Sequence, residues 1–317
     1  MFDRRSICLA ALALAAGAQA QNKTTRIVVA FPPGGPVDTV ARALAEQLGK
    51  ELGQNVIVDN RAGANGAIAA GEVMRAAADG STLWLTSVGA AAVNPALYDK
   101  LPYDMVRDFA PVSLVVNNVE LLVVNPADPA KDAAEFVAAA KRRKEATTMA
   151  STGIGSIPHL AIEQFADASG APLLHVPYKG AAPAITDVMG GQVSAFFGDI
   201  PGLISHVRGG KLRAIGLASP QRHPALPDVK TLAEQGFAGV DTNNWYALFA
   251  PVKTPPAVVA DINAAVSRAL AAPGLRDRLL NSGAEPAPST APELAALLKR
   301  DTAKWAKLIH DKKIKAE

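Results

Sequence analysis

Ser156 and His159 stand three residues apart, a spacing that brings a hydroxyl and an imidazole together on one helical turn. Such a pair could serve as nucleophile and base in acyl transfer. No third group in a recognisable place orients the histidine, and the chain has no G-x-S-x-G elbow. Capping of a helix by Ser156, with His159 in its first turn, accounts for the same spacing without catalysis. His159 and Glu163, at i and i+4, share a helix face and could begin a metal site. No cysteine or nearby histidine completes it. His175 alternates with Val176 in a strand, and His206, His223 and His310 have no partner pattern. These residues predict no enzyme, no metal and no cofactor.

Anion binding is better served. Residues 26–48 read as a strand, a turn and a helix in one piece. The apolar run Ile27, Val28, Val29, Ala30 and Phe31 is broken by Pro32, Pro33, Gly34, Gly35 and Pro36. Apolar residues then return at helical spacing from Val37. A helix N-terminus presents unpaired N–H groups and the positive end of a dipole, and glycines let the backbone come close to whatever is held there. An ordinary loop between strand and helix is the competing reading. Gly35→Val is expected to weaken binding more than stability, through blocked approach and a disfavoured positive φ. Asp38 would repel a ligand carboxylate, so a capping role that shapes the loop is preferred for it.

A second such turn is Ser151-Thr152-Gly153-Ile154-Gly155-Ser156. Pro158 in the third glycine position excludes a dinucleotide fingerprint, and no Gly-Lys-Ser/Thr makes it a P-loop. Tyr178 and Gly180 close a later strand. Asp199 ends another, as a ligand acceptor or as a cap for the helix near Pro201. Trp245 and Tyr246 read as core or hinge packing rather than as ligand platforms.

Strands and helices alternate around these turns. Strands are predicted at 27–31, 55–59 and 82–86, with helices from Val37 and from 63–66 to about Ala77. The order βαβαβ predicts a parallel sheet with helices on its faces. Residues 93–111 read as a loop with short helical turns. A second half opens with a strand at 121–124, and a helix follows at about 130–144. Strands at 147–150, 173–178, 193–197 and 212–218 come next. A late strand at 243–250 precedes a helical remainder from Pro256, broken at 273–274 and 286–288. Two α/β halves with a helical return suggest two lobes, and ligands in such sheets lie beyond the carboxyl ends of strands.

The first 20 residues read as an export signal. Arg4 and Arg5 form the charged end, Ile7 to Ala16 the apolar stretch, and Ala18-Gln19-Ala20 the cleavage site. Cys8 is the single cysteine, and Arg5 stands where a lipoprotein signal needs an apolar residue. The mature chain therefore lacks cysteine, and its core must stabilise it without disulfides. The composition, 49% hydrophobic and 19% charged, is that of a large globular core. Losing Arg4, Arg5 and Asp3 takes the net charge from +3 to +2, too even a balance for a nucleic-acid partner. The run Lys141 to Lys144 suits a solvated helix end.

The order FPPGGPVDTVAR, VDNRAGANG, YDKLPYD with DFAPVSLV, STGIGSIPHLAIEQF, HVPYKGAAPAITDVMGGQV and NWYALFAPVKTP resembles the Bug family across the whole mature chain. These are periplasmic solute receptors of tripartite tricarboxylate transporters. The resemblance implies an α/β, two-lobed Venus-flytrap fold. Lobe one would comprise 22–120 with 247–317, and lobe two 121–246. It implies a small carboxylate ligand: a di- or tricarboxylate, an acidic amino acid or an aromatic acid. Integral-membrane transporter subunits or a membrane sensor would be the partner of a monomer. Carried over by position, the ligand site is Phe31, Pro33, Gly34, Gly35 and Asp38, with Thr86, Ser87 and Gly89 beside them. From lobe two come Ser151, Thr152, Gly153, Ser156 and His159, then Tyr178, Gly180 and Asp199. One departure is Glu120, where the family more usually has proline or a neutral residue. A carboxylate there is expected to alter the cleft rim.

Overall fold

The computed structural model describes residues 24–63 and 66–316. The export signal and Ala64-Asn65 of the expected helix start lie outside the described residues. β1 (Thr24–Val29) leads into α1 (Pro36–Leu52), and β2 (Asn55–Asn60) into α2 (Ala67–Met74). β3 (Thr82–Ser87) runs into a π-helical turn (Gly89–Val93) and the short α3 (Asn94–Leu97). α4 (Met105–Asp108), β4 (Phe109–Asn117), β5 (Glu120–Val124), α5 (Ala133–Arg142) and β6 (Thr147–Ser151) follow. Next are α6 (Ile157–Ser169), β7 (Leu173–Pro177), α7 (Ala181–Met189), β8 (Ala195–Asp199), α8 (Ile200–Arg208) and β9 (Arg213–Leu217). β10 (Tyr246–Pro251) precedes α9 (Pro256–Ala271), α10 (Pro273–Ser282), the two-residue β11 (Glu285–Pro286) and α11 (Ala291–Lys312).

The strands form two sheets, ordered β11-β4-β10-β3-β1-β2 and β7-β6-β8-β5-β9. Both are mixed, which corrects the expectation of a parallel sheet. β1 pairs parallel with β2 and β3, and β6 with β7 and β8. β10 instead runs antiparallel between β3 and β4, and β5 antiparallel to β8 and β9. The reason is connectivity: the chain enters the second sheet at β5 and returns to the first at β10 against the βα direction.

Each sheet is covered on both faces, so its strands read as continuous apolar runs. In β1, Ile27 and Val29 pack with Leu44, Val266 and other residues of α1 and α9. Val28 points the other way, toward Trp84, Trp245 and Trp305. The second sheet packs α5 and α6 through Phe136 and Phe165 on one face, and α7 and α8 through Ile185 and Leu203 on the other.

Two crossovers join the sheets, and they pair side by side. Asn118 N donates to Asn244 O at 3.2 Å and Asn244 N to Asn118 O at 3.0 Å. Val119 and Asn243 form an isolated bridge next to them. The strand carboxyl ends β1, β3, β6, β7 and β8 all feed loops that meet above this junction.

Candidate functional site: a cleft ringed by helix N-termini

The cleft encloses about 140 Å³. Phe31, Pro33, Gly35, Val37, Ser87 and Gly89 line it from the first sheet's loops. Thr152, Ser156, Lys179, Gly180, Ala181 and Asp199 line it from the second's. Asn244 and Tyr246 close the floor at the crossover.

Four helices begin at this space. α1, α7 and α8 have Gly35, Gly180 and Asp199 as N-caps, and none of the three has a side-chain cap bond. No side chain satisfies their first-turn amides, though Ile200 N of α8 donates to Val119 O at 3.1 Å and Pro36 and Pro201 carry no N–H; their dipoles add positive potential at the cleft. Only α6 is capped, by Ser156 Oγ, which accepts from His159 N at 3.4 Å. The same hydroxyl donates to Gly153 O at 2.7 Å. Ser156 thus serves the loop and the helix, and no hydrogen bond joins its hydroxyl to the His159 ring. His159 Nδ1 instead accepts from Gly155 N at 3.1 Å.

Several residues carried over from the family pattern stand behind the lining rather than in it. Asp38 is buried; its carboxylate accepts from Gly34 N, Arg42 Nε and Asn60 Nδ2, each at 2.9 Å. Burial alone would push it up, but those bonds outweigh burial and hold it below the usual carboxylate range. It braces the loop from beneath and does not cap α1, whose N-cap is Gly35. The left-handed glycine is Gly34, with φ +80°, whereas Gly35 has an extended φ of −77°. The positive-φ argument therefore belongs to Gly34.

Gly34, Thr86, Ser151, Gly153, His159 and Tyr178 are likewise absent from the lining. Ser151 Oγ bonds His175 Nε2 at 2.6 Å, and the His175 ring stacks on His159 at 3.8 Å. Burial, with the neighbouring His159 second, pushes His175 down to about 4. This stack stiffens the 151–156 loop. His159 Nε2 lies 3.6 Å from Glu163 Oε1, and no group of three metal-binding side chains occurs among the described residues. The Tyr178 hydroxyl is spent on Asp187 at 2.6 Å.

Sequence reasoning missed Lys179, Asn244 and Tyr246. Tyr246 sits in an apolar strand run and looks like core, yet its hydroxyl donates to Asp199 at the floor. Glu120 is not at the rim: it is fully buried at the start of β5, beneath the floor.

Comparison with known proteins gives this geometry its context. The profile of the tripartite tricarboxylate transporter family receptors matches residues 40–314. The structure of the periplasmic binding protein BugD is 32% identical, covers 93% of this chain and 99% of its own, and superposes with a TM-score of 0.86. MatC from Rhodopseudomonas palustris with bound malate is 35% identical over 90% of this chain and 98% of its own, with a TM-score of 0.83. R. palustris Rpa4515 with adipate is 30% identical over 92% and 98%, with a TM-score of 0.88. The fold is the two-lobed α/β fold of periplasmic binding proteins. The chain belongs to the tripartite tricarboxylate transporter family receptors, the Bug family of solute-binding proteins.

Proposed function

We propose that this protein captures a small carboxylate between its lobes and delivers it to a tripartite tricarboxylate-type membrane transporter. The ligand is a di- or tricarboxylate, an acidic amino acid or an aromatic acid. The observation that carries this reading is the convergence of four helix N-termini on one small cavity, three of them without side-chain caps. Such ends hold an anion through backbone N–H groups. Lys179 adds a cation to the lining. Malate in MatC and adipate in Rpa4515 supply ligands of the same chemistry in relatives of this fold. The ligand-touching groups would be Phe31, Pro33, Gly35, Ser87 and Gly89 on one side, and Thr152, Ser156, Gly180 and Asp199 on the other.

In this reading lobe one is 22–120 with 247–317 and lobe two is 121–246. The protein works in the periplasm after cleavage behind Ala20. It breaks no bond: the Ser156 hydroxyl and the His159 ring are each engaged with backbone groups rather than with one another. The test is a thermal-shift screen of carboxylic acids against neutral sugars. A ligand that binds only the folded state raises apparent stability by mass action. Malate, adipate or a related acid should raise the melting temperature. Tight binding of a sugar with no response to any acid would overturn the reading.

A further inference from the structure

Glu120 and Asp199 face each other directly in the antiparallel register of β5 and β8. One amide spans both: Asn244 Nδ2 lies 2.9 Å from Asp199 Oδ1 and 3.2 Å from Glu120 Oε1. The second Asp199 oxygen accepts from the Tyr246 hydroxyl. Glu120 Oε2 is buried and meets no N–H or hydroxyl donor among the described residues. Neither carboxyl has an ion-pair partner there. β8 presents Asp199 to Glu120, β10 presents Tyr246 to Asp199, and the second crossover presents the neutral amide of Asn244 to both. β9 brings Leu217 opposite the neighbouring Leu121. The nearest cation in the cavity lining is Lys179, which is exposed.

Two carboxyl groups this close, without a cation, cannot both ionise in a buried site. A proton on Glu120 turns its orphan acceptor into a donor to Asp199 and satisfies both groups. Burial, with the Asp199 charge second, pushes Glu120 well above its ordinary range, and burial brings Asp199 up to about 6. Asp199 also lines the cavity, so the charge of this pair is felt by whatever enters above it.

We propose that the Glu120–Asp199 pair makes ligand capture proton-linked: the free protein holds one proton, on Glu120, and a second is taken up on Asp199 when a carboxylate binds over it. The linkage rests on the carboxylate reading above. A carboxylate beside an ionised Asp199 is repelled, and protonating the pair removes that repulsion. The bound form then holds more protons than the free form, so affinity falls as pH rises above about 6, the value to which Asp199 is shifted. The limit is about tenfold per pH unit for one proton.

The experiment is calorimetry of malate and adipate in buffers of different ionisation enthalpy, from about pH 7 to about pH 8.5, where both carboxyls of the acids are almost wholly ionised. Wild type should take up close to one proton per ligand and lose affinity toward tenfold per pH unit. Asp199→Asn, which removes the group that takes up this proton, should flatten that dependence, whereas Glu120→Gln, which mimics the protonated Glu120, should keep it. Difference infrared spectra of the free proteins give a readout without ligand. A protonated-carboxyl band at neutral pH should be present in wild type and missing in Glu120→Gln. Acid binding without proton uptake overturns this proposal alone, as does the absence of the band. Failure of every acid to bind overturns the carboxylate reading and this linkage with it.

Discussion

The two adjacent glycines of the first loop have different duties. Gly34 holds φ +80° with open space where a Cβ would go, so a side chain there is strained by backbone alone. Gly34→Ala should lower stability by about 1 kcal/mol. Gly35 has an ordinary φ, and a Cβ would meet only Pro32 O at 3.5 Å. Gly35→Val should fold with little loss, yet weaken acid binding severalfold because its methyls enter the cavity. Denaturant melts beside calorimetry separate the two; equal affinity in Gly35→Val would take this loop out of the site. His175 gives a pH prediction. Its folded value of about 4 lies below its ordinary 6.5, so the unfolded chain binds the proton first, and its stability contribution is lost as pH falls from 6.5 toward 4. Asp199 acts oppositely: raised from 3.8 to about 6, it favours the folded state as pH falls across that window. The wild-type curve therefore contains partly cancelling slopes. His175→Gln should lose less stability on acidification than wild type, measured by melts across this range. A parallel pair of curves would show that His175 is not held neutral.

At the scale of elements, the uncapped helix ends separate stability from function. Gly35 already has the extended geometry of an N-cap, with φ −77° and ψ 172°. Gly35→Asp should therefore keep or slightly raise stability, by a few tenths of a kcal/mol, by capping α1 internally. The same carboxylate occupies the amides proposed for the ligand and repels it, so acid affinity should fall by tenfold or more, about 1.4 kcal/mol. A stable Gly35→Asp protein with full affinity would remove the α1 terminus from the site. The starts of α1 and of the capped α6 were legible in the sequence because Pro36 and Pro158 follow glycine and serine turns at strand ends. β4 was not. Pro111 lies inside it, and proline is a poor sign of a strand. The sheet admits it where the β10 register shifts, with Pro111 opposite Phe249. Nor could local pattern reveal that β10 inserts antiparallel between β3 and β4, because that order is set by a return across the whole second sheet. Lys179, Asn244 and Tyr246 escaped for a related reason: nothing in a charged, an amide or a strand residue marks which way it faces until the crossovers bring both sheets together.

At the scale of the whole molecule, the site exists only where the two sheets meet. Its lining comes from both, and the paired crossovers at Asn118 and Asn244 are the joint between them. A ligand shifts an opening equilibrium only through its difference in affinity for the two states, so it must touch both sides to hold the cleft shut. Ser151→Tyr is a poor probe of this clamp: Ser151 is fully buried and bonded to His175, so enlarging it disturbs the fold first. Gly35 and Ala182 line the cavity from opposite sides and suit the purpose better. Gly35→Val and Ala182→Val should each reduce affinity, and the double variant should lose less than the two losses added. Once one lobe cannot grip, the second has little closure left to spoil, and residues coupled through a shared partner depart from additivity by about 0.5–3 kcal/mol. The sole cysteine, Cys8, lies in the predicted signal, so paired cysteines introduced on exposed positions of the two lobes can carry labels without background. The distance between those labels should shorten with acid in the parent and change less in each single variant. Strict additivity in affinity, together with label distances that move equally in all four proteins, would mean that the ligand is held by one lobe alone.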